Sequence, residues 1–389
     1  MLFRSVALDF TIDARCGTAR TGTVTTARGT FRTPCFMPVG TRGAVRTLSS
    51  ADLEDLGAEV ILGNTYHLML RPGADVVARW GGLHGFADWR GHVLTDSGGY
   101  QVFSLEPQVD DEGATFASTY DGSPHHLTPE GAVEAQVLLG SDIQMVLDVC
   151  PPLPSPRAVI RSAVDRTALW AERARKAFLA HERPDLSQFG IVQGGVDDGL
   201  RAESAARTVD VGFEGFAVGG LSVGEDRSEM LPALATALAG VPEDRPRYFM
   251  GLGDPLGIVD VVGLGVDMFD CVLPTRLGRH GTMLTSTGRL NLRNRRFAAD
   301  TGPIDDACAC PVCARWSRGY LRHLLSVDEP TAPRLLTIHN VHWTLELVRR
   351  VRGAIADGSL AALRAELAEH WPDRAIFAGR DGESPGGTG

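Results

Sequence analysis

The stretch HVLTDSGG, residues 92–99, is an apolar run of strand length that stops at an acid and two glycines. A strand buried on both faces is written this way, as nearly continuous apolar residues with a turn or a chemical group at its end. The same writing recurs in CFMPVGT (35–41), EVILGNTYH (59–67), IQMVLDVC (143–150), FGIVQGG (189–195), GFAVGGL (215–221), RYFMGLG (247–253) and VDMFDCV (266–272), which makes eight in all. Helical patterns lie between them. Ser49 and Ser50 can cap ADLEDLG, Thr128-Pro129-Glu130 opens GAVEAQVLLG, and the segment 156–181 carries apolar residues at Trp170, Ala174, Ala177 and Phe178. Eight buried strands alternating with helices predict an α/β fold of the (β/α)8 TIM-barrel type rather than a doubly wound sheet.

Active sites in such barrels form at the C-terminal ends of the strands. Here those ends carry Asn64, Asp96, Asp148, Gln193, Gly219-Gly220, Met250-Gly251 and Asp270. Any one of these could merely cap a helix or permit a turn. Three carboxylates converging on one mouth, however, would repel one another unless a ligand or hydrogen bonds satisfied them. ATFASTYDGSPHHLTPE interrupts the barrel pattern, and its Asp121-Gly122 predicts a type I′ hairpin in a small antiparallel insertion at the mouth after the third strand.

Composition bounds the function. The 389 residues are 43% hydrophobic and 22% charged, with a formal net charge of −10, which suits a globular chain and excludes a wholly basic nucleic-acid binder. Asp9 and Asp13 interrupt any apolar leader and no run has membrane-spanning length, so a cytoplasmic protein without membrane partners is expected. Locally the charge reverses. Between Arg276 and Arg322 nine arginines face three acids, a segment of about +6 before any metal is counted, and such a patch is a footprint for a phosphate backbone. Arginine is also the chain's default cation, because Lys176 is its single lysine.

The seven cysteines are too few and too scattered for a disulfide framework, yet CACPVC places Cys308, Cys310 and Cys313 within six residues. A redox Cys-x-x-Cys would open a helix after a strand, whereas this cluster reads as a loop. Three thiolates leave one tetrahedral position open, for which His339 is the candidate while His323 and His342 compete. Four protein ligands would make a closed, structural Zn2+ site.

TDSGGYQVFSL (95–105), GGLSVGE (219–225), RYFMGLG, DMFDCVLPTR (267–276) and the Cys-x-Cys-x-x-Cys with a later His, in that order across nearly the whole chain, resemble the tRNA-guanine transglycosylase family, also called queuine tRNA-ribosyltransferase, in its bacterial form. The resemblance implies an irregular (β/α)8 barrel spanning 1–380 with a zinc-binding subdomain at 300–345, and the last nine residues, 381–389, are too polar and Gly-rich to pack and read as a disordered tail. It implies Asp270 as the nucleophile toward ribose and Asp96 as the general acid/base. The purine pocket would comprise Asp148, Gln193, Gly219, Gly220, Leu221 and Cys150, with Tyr100 and Met250 sandwiching the base. Cys308, Cys310, Cys313 and His339 would hold one structural zinc, and Arg276, Arg279, Arg289 and Arg293 would contact RNA. The implied partners are a tRNA anticodon loop, guanine, a deazaguanine base and a second copy of the chain. Two positions bear on substrate. Val149 stands where many bacterial members have Glu, and Val223 where eukaryotic members have Gly, which favours 7-aminomethyl-7-deazaguanine over the bulkier queuine. A DNA-directed transglycosylase, an inactive RNA-binding subunit and a barrel lyase or aldolase are the alternative readings.

Overall fold

Every one of the eight apolar runs forms a strand in the structure, a computed structural model that describes residues 8–371. The strands are β1 Cys35–Gly40, β2 Val60–Gly63, β3 His92–Thr95, β4 Ile143–Met145, β5 Ser187–Val192, β6 Gly215–Val218, β7 Arg247–Phe249 and β8 Met268–Cys271. Each pairs in parallel with its sequence neighbours, and β8 closes the ring on β1 with Asp270 opposite Met37. Apart from Asp270 every residue of these strands is buried, which is why the runs carry so little polar alternation. The fold is therefore a TIM-like α/β barrel.

Caps set where the helices begin. Ser49 and Asp52 form a capping box for Ser50–Asp55, and the Thr128 side chain accepts from the Gly131 N–H to start Pro129–Leu139. Asp197 and Asp254 do the same for Asp198–Val211 and Pro255–Gly263. The long helix Arg157–Ala180 buries Trp170, Ala174 and Phe178 on the core side and leaves Lys176 exposed.

Two features depart from the expectations. A three-stranded antiparallel sheet, Leu8–Cys16, Ala19–Thr26 and Gly29–Thr33, precedes the barrel and was not anticipated. Its buried Arg20 forks onto Asp267 at 2.6 and 2.9 Å, just before β8 begins, and so fixes the sheet to the N-terminal end of the barrel. The insertion after β3 is present as the sheet Gln108–Val109, Ala114–Ala117 and Pro124–Leu127, but its turn is not type I′. That turn needs positive φ at both central residues, and only Gly122 has it, at 74°. Asp121 instead accepts from the Ser123 N–H at 3.1 Å within a longer loop whose Ser118 N–H donates to the Ser123 carbonyl at 2.8 Å.

After β8 the chain forms the helix Leu273–Arg279, a hairpin (Thr282–Thr285 with Gly288–Asn291), the cysteine-bearing loop and the helices Arg318–Ser326, Thr331–Ala356 and Leu360–His370. Met283, Leu292, Ile304, Cys310 and Leu336 share an apolar cluster with Leu48, Leu53 and Leu83 of the barrel's outer layer. The expected tail at 381–389 lies outside the described residues.

Candidate active site and metal centre

Asp270 is the third residue of β8 and remains partly open to the barrel mouth. Its Oδ1 accepts from the Tyr248 hydroxyl at 2.6 Å and from the Gly251 N–H at 2.9 Å, while Oδ2 takes no hydrogen bond from another residue among the described residues. Packing around the carboxyl raises its pKa against those two bonds, and burial and then the Asp270 charge raise that of Tyr248. Asp96 follows β3 directly. Its carboxylate accepts from the Asn64 amide, from the Thr65 N–H at 2.8 Å and from the Gly98 N–H at 3.2 Å. Burial nevertheless pushes it up to about 6. The ends of β2, β3, β7 and β8 lie at one mouth of the closed parallel barrel, where the Asp96 charge also bears on Tyr248.

A second group adjoins the first. Asp148, beyond β4, accepts from the Gln193 amide at 2.6 Å, and burial pushes it up to about 6 with a further upward contribution from Asp96. Gly219 and Gly220 end β6, and a Cβ on either would collide with the Gln193 amide, so the pair gives the side chain a flat backbone wall. Burial and then the Asp148 charge push the Cys150 thiol up to about 12. Leu221 is buried beside them and Met250 is half-buried at the end of β7. Tyr100, on the short helix Gly99–Phe103, is 64% exposed and presents an open ring. Val149 packs on the apolar cluster that contains Tyr66, Leu147 and Trp170, where a carboxylate would lose its water. Glu225 accepts from the N–H groups of Ser222 and Val223 and so shapes the turn after Leu221.

Sequence reasoning named the carboxylates but missed what holds them. Tyr248 stood unremarked within RYFMGLG. Asn64 was noted only as a strand end. Arg201 was not singled out, yet it lies on the buried stripe of Asp198–Val211 with Leu200, Ser204, Ala205 and Thr208, a pattern visible from the 3.6-residue period. Its guanidinium donates to the carbonyls of Gly195, Val192, Gly219 and Gly220 at 2.7, 3.0, 2.8 and 3.1 Å.

The arginine-rich segment is divided. Arg276 and Arg279 lie on Leu273–Arg279, and Arg279 is held below its ordinary pKa by burial and then by the charges of Arg46 and Arg276, a cationic cluster in which Arg46 was unforeseen. Arg289 and Arg293 are exposed, the latter donating to the His280 carbonyl at 3.1 Å. Arg318 is drawn off by Asp300 at 3.2 Å.

Cys308, Cys310, Cys313 and His339 bring four donor atoms within 4.8 Å of one another. His339 Nδ1 lies 3.8, 3.4 and 3.3 Å from the three sulfurs, close to the roughly 3.5 Å nitrogen–sulfur edge of a tetrahedral zinc site. Its Nε2 donates to the Leu284 carbonyl at 2.8 Å, which leaves Nδ1 as the lone-pair donor. Of the competing histidines, His323 and His342 are not in the group. The donor set fits a closed metal centre with no position left for substrate.

A barrel mouth of buried carboxylates beside an amide-lined recess, with a Cys3His centre on its flank, is the equipment of a glycosyltransferase-type barrel enzyme. The family model described as queuine tRNA-ribosyltransferase matches residues 14–373. Proteins named queuine tRNA-ribosyltransferase from Novosphingobium aromaticivorans and Sphingopyxis alaskensis are 51% and 49% identical to this chain, covering 92% and 93% of it and 97% and 98% of their own lengths. One of the same name from Desulforudis audaxviator is 50% identical, over 90% of this chain and 94% of its own. The chain belongs to the queuine tRNA-ribosyltransferase family, the tRNA-guanine transglycosylases of queuosine synthesis.

Proposed function

We propose that this enzyme exchanges the wobble guanine of its target tRNAs for 7-aminomethyl-7-deazaguanine through a covalent ester between Asp270 and ribose. The observation that carries this reading is the unequal treatment of the two Asp270 oxygens. Oδ1 is tied by Tyr248 and Gly251, and Oδ2 is left for attack. An Oδ2 lone pair forms the bond to C1′ as the C1′–N9 pair departs with the guanine, and Asp96 supplies the proton to N9. The incoming base then returns a proton to Asp96, its N9 forms the new bond to C1′, and the Asp270 carboxylate leaves with its electrons. Two displacements retain the sugar's configuration. A carboxyl pushed up to about 6 exchanges protons readily near neutrality, which suits Asp96 to both steps.

Asp148, as a carboxylate, accepts from the ring N–H and exocyclic amine of a guanine edge, a donor pair adenine lacks. Gln193 and the N–H groups of Gly220 and Leu221 serve the carbonyl oxygen, and Tyr100 and Met250 enclose the ring faces. Stacking on one base contributes about 1–3 kcal/mol. The anticodon loop supplies an already unpaired nucleotide, so the guanosine turns into the recess at modest expense. Arg276, Arg279, Arg289 and Arg293 serve its phosphates. The Cys3His centre holds a structural zinc, the enzyme acts in the cytoplasm, and it works as a homodimer. Val223 narrows the recess toward the smaller base.

The test is exchange of labelled guanine out of tRNA and out of DNA, with the deazaguanine precursor and queuine each offered as the incoming base. Precursor-driven release from tRNA is expected; preferential use of queuine, or of DNA, overturns the assignment. Exchange should also be greatest at about pH 6, falling below it as Asp148 takes up a proton and above it as Asp96 loses the one it delivers to N9. Protonated Asp148 presents an O–H where the guanine edge offers only donors, so the ionised form, dominant above its raised pKa, is the active one. A pH–rate profile flat from about 5 to 7 would contradict this.

A further inference from the structure

We infer that Arg201 is a positioning residue for this exchange, its guanidinium aligning and polarising the peptides whose N–H groups receive the departing base. The inference rests on the reading of the mouth as a guanine site. Arg201 is fully buried on Asp198–Val211 and spans the ends of two adjacent strands, β5 through Val192 and Gly195 and β6 through Gly219 and Gly220. All four acceptors are backbone carbonyls. The carboxylate whose charge reaches it is that of Glu225, and no carboxylate lies within ion-pair distance of it among the described residues.

A buried cation without a carboxylate is an expensive clamp, since desolvating it costs several kcal/mol that only hydrogen bonds offset. A planar fork with five donors can hold four carbonyls from two strands, which a lysine cannot do. The charge has a further effect. In a trans peptide the C=O and N–H point in opposite directions. With the Gly219 and Gly220 carbonyls turned onto Arg201, the N–H groups of Gly220 and Leu221 are turned away from it. A cation on the carbonyl of a peptide strengthens that peptide's N–H as a donor. When the C1′–N9 pair moves onto guanine, conjugation carries negative charge to the base's carbonyl oxygen, and these two N–H groups are placed to receive it. Arg201 thus stabilises the leaving base without touching it.

The test uses the full-length, metal-loaded enzyme and tRNA. Arg201→Met and Arg201→Lys are compared with wild type in kcat and KM for exchange, in thermal unfolding, and across a series of incoming 7-deazaguanines of graded ring N–H acidity. Removing a direct oxyanion donor costs about 10²–10³ in kcat, so the indirect loss expected of Arg201→Met is about tenfold or more, with KM for tRNA within about twofold. The loss should deepen as the base becomes a weaker acid. Should Arg201→Met fail to accumulate folded, Arg201→Lys carries the test. It keeps the charge but not the fork, and the same dependence on base acidity is expected at smaller amplitude. A lowered unfolding temperature with unchanged kcat, or an equal loss for every base, overturns the inference and leaves Arg201 a structural clamp. Absence of exchange by wild type would instead overturn the guanine-site reading itself.

Discussion

Asp270→Asn should lower guanine exchange by about a thousandfold or more and remove the denaturation-resistant adduct between protein and tRNA. The substitution keeps shape and packing. The asparagine carbonyl still accepts from Tyr248 and Gly251, and its amide nitrogen occupies the position of Oδ2 with no lone pair to offer. Folding should therefore survive, and removal of a carboxyl that packing already drives toward its neutral form should leave stability equal or greater. The measurement is a denaturing gel of protein incubated with labelled tRNA and the precursor base, read beside a urea unfolding curve. An adduct that persists in Asp270→Asn but disappears in Asp96→Asn would exchange the roles given to the two residues.

The second large effect concerns the metal. Chelation, or Cys310→Ser, should shift urea unfolding by about 3 kcal/mol or more while one metal ion per chain is lost, because structural zinc sites contribute their binding free energy directly to folding. Cys310 is fully buried in the cluster that also contains Met283, Leu292 and Ile304, and His339 is tied to the hairpin carbonyl of Leu284. Releasing the metal frees both ends of that attachment. Exchange should weaken mainly through a higher KM for tRNA, since the hairpin carries Arg289 and the centre has no open coordination position. Metal content by atomic emission, unfolding midpoint and KM together check this. A chelated enzyme with an unchanged midpoint would show that the four donors do not depend on the ion.

The barrel was legible because a doubly buried parallel strand leaves little freedom in its residue types, so all eight runs stand out against amphipathic helices. The preceding sheet was not. Its first strand does alternate, with Leu8 and Phe10 buried and Asp9 exposed, but so much threonine and arginine follows that it resembles a polar leader. What makes it structural is Arg20 meeting Asp267, a contact spanning more than half the chain. Within the site, residues with free polar ends at strand termini announced themselves. Those that act through hydrogen bonds did not, since nothing local separates Tyr248 from a core tyrosine. Arg201 is intermediate, because its place on a buried stripe was readable whereas its four carbonyl partners lie at and just beyond the ends of β5 and β6, which meet only in the folded barrel.

The seam at which β8 meets β1 sets a condition on biosynthesis. β1 is made long before β8, but its second edge stays unmatched until residues 268–271 have left the ribosome and bring Asp270 opposite Met37. Completion of the ring and arrival of Asp270 at the mouth are thus a single event in the life of the chain. Until then the open edge of β1 presents unpaired backbone groups, a place for a chaperone to act.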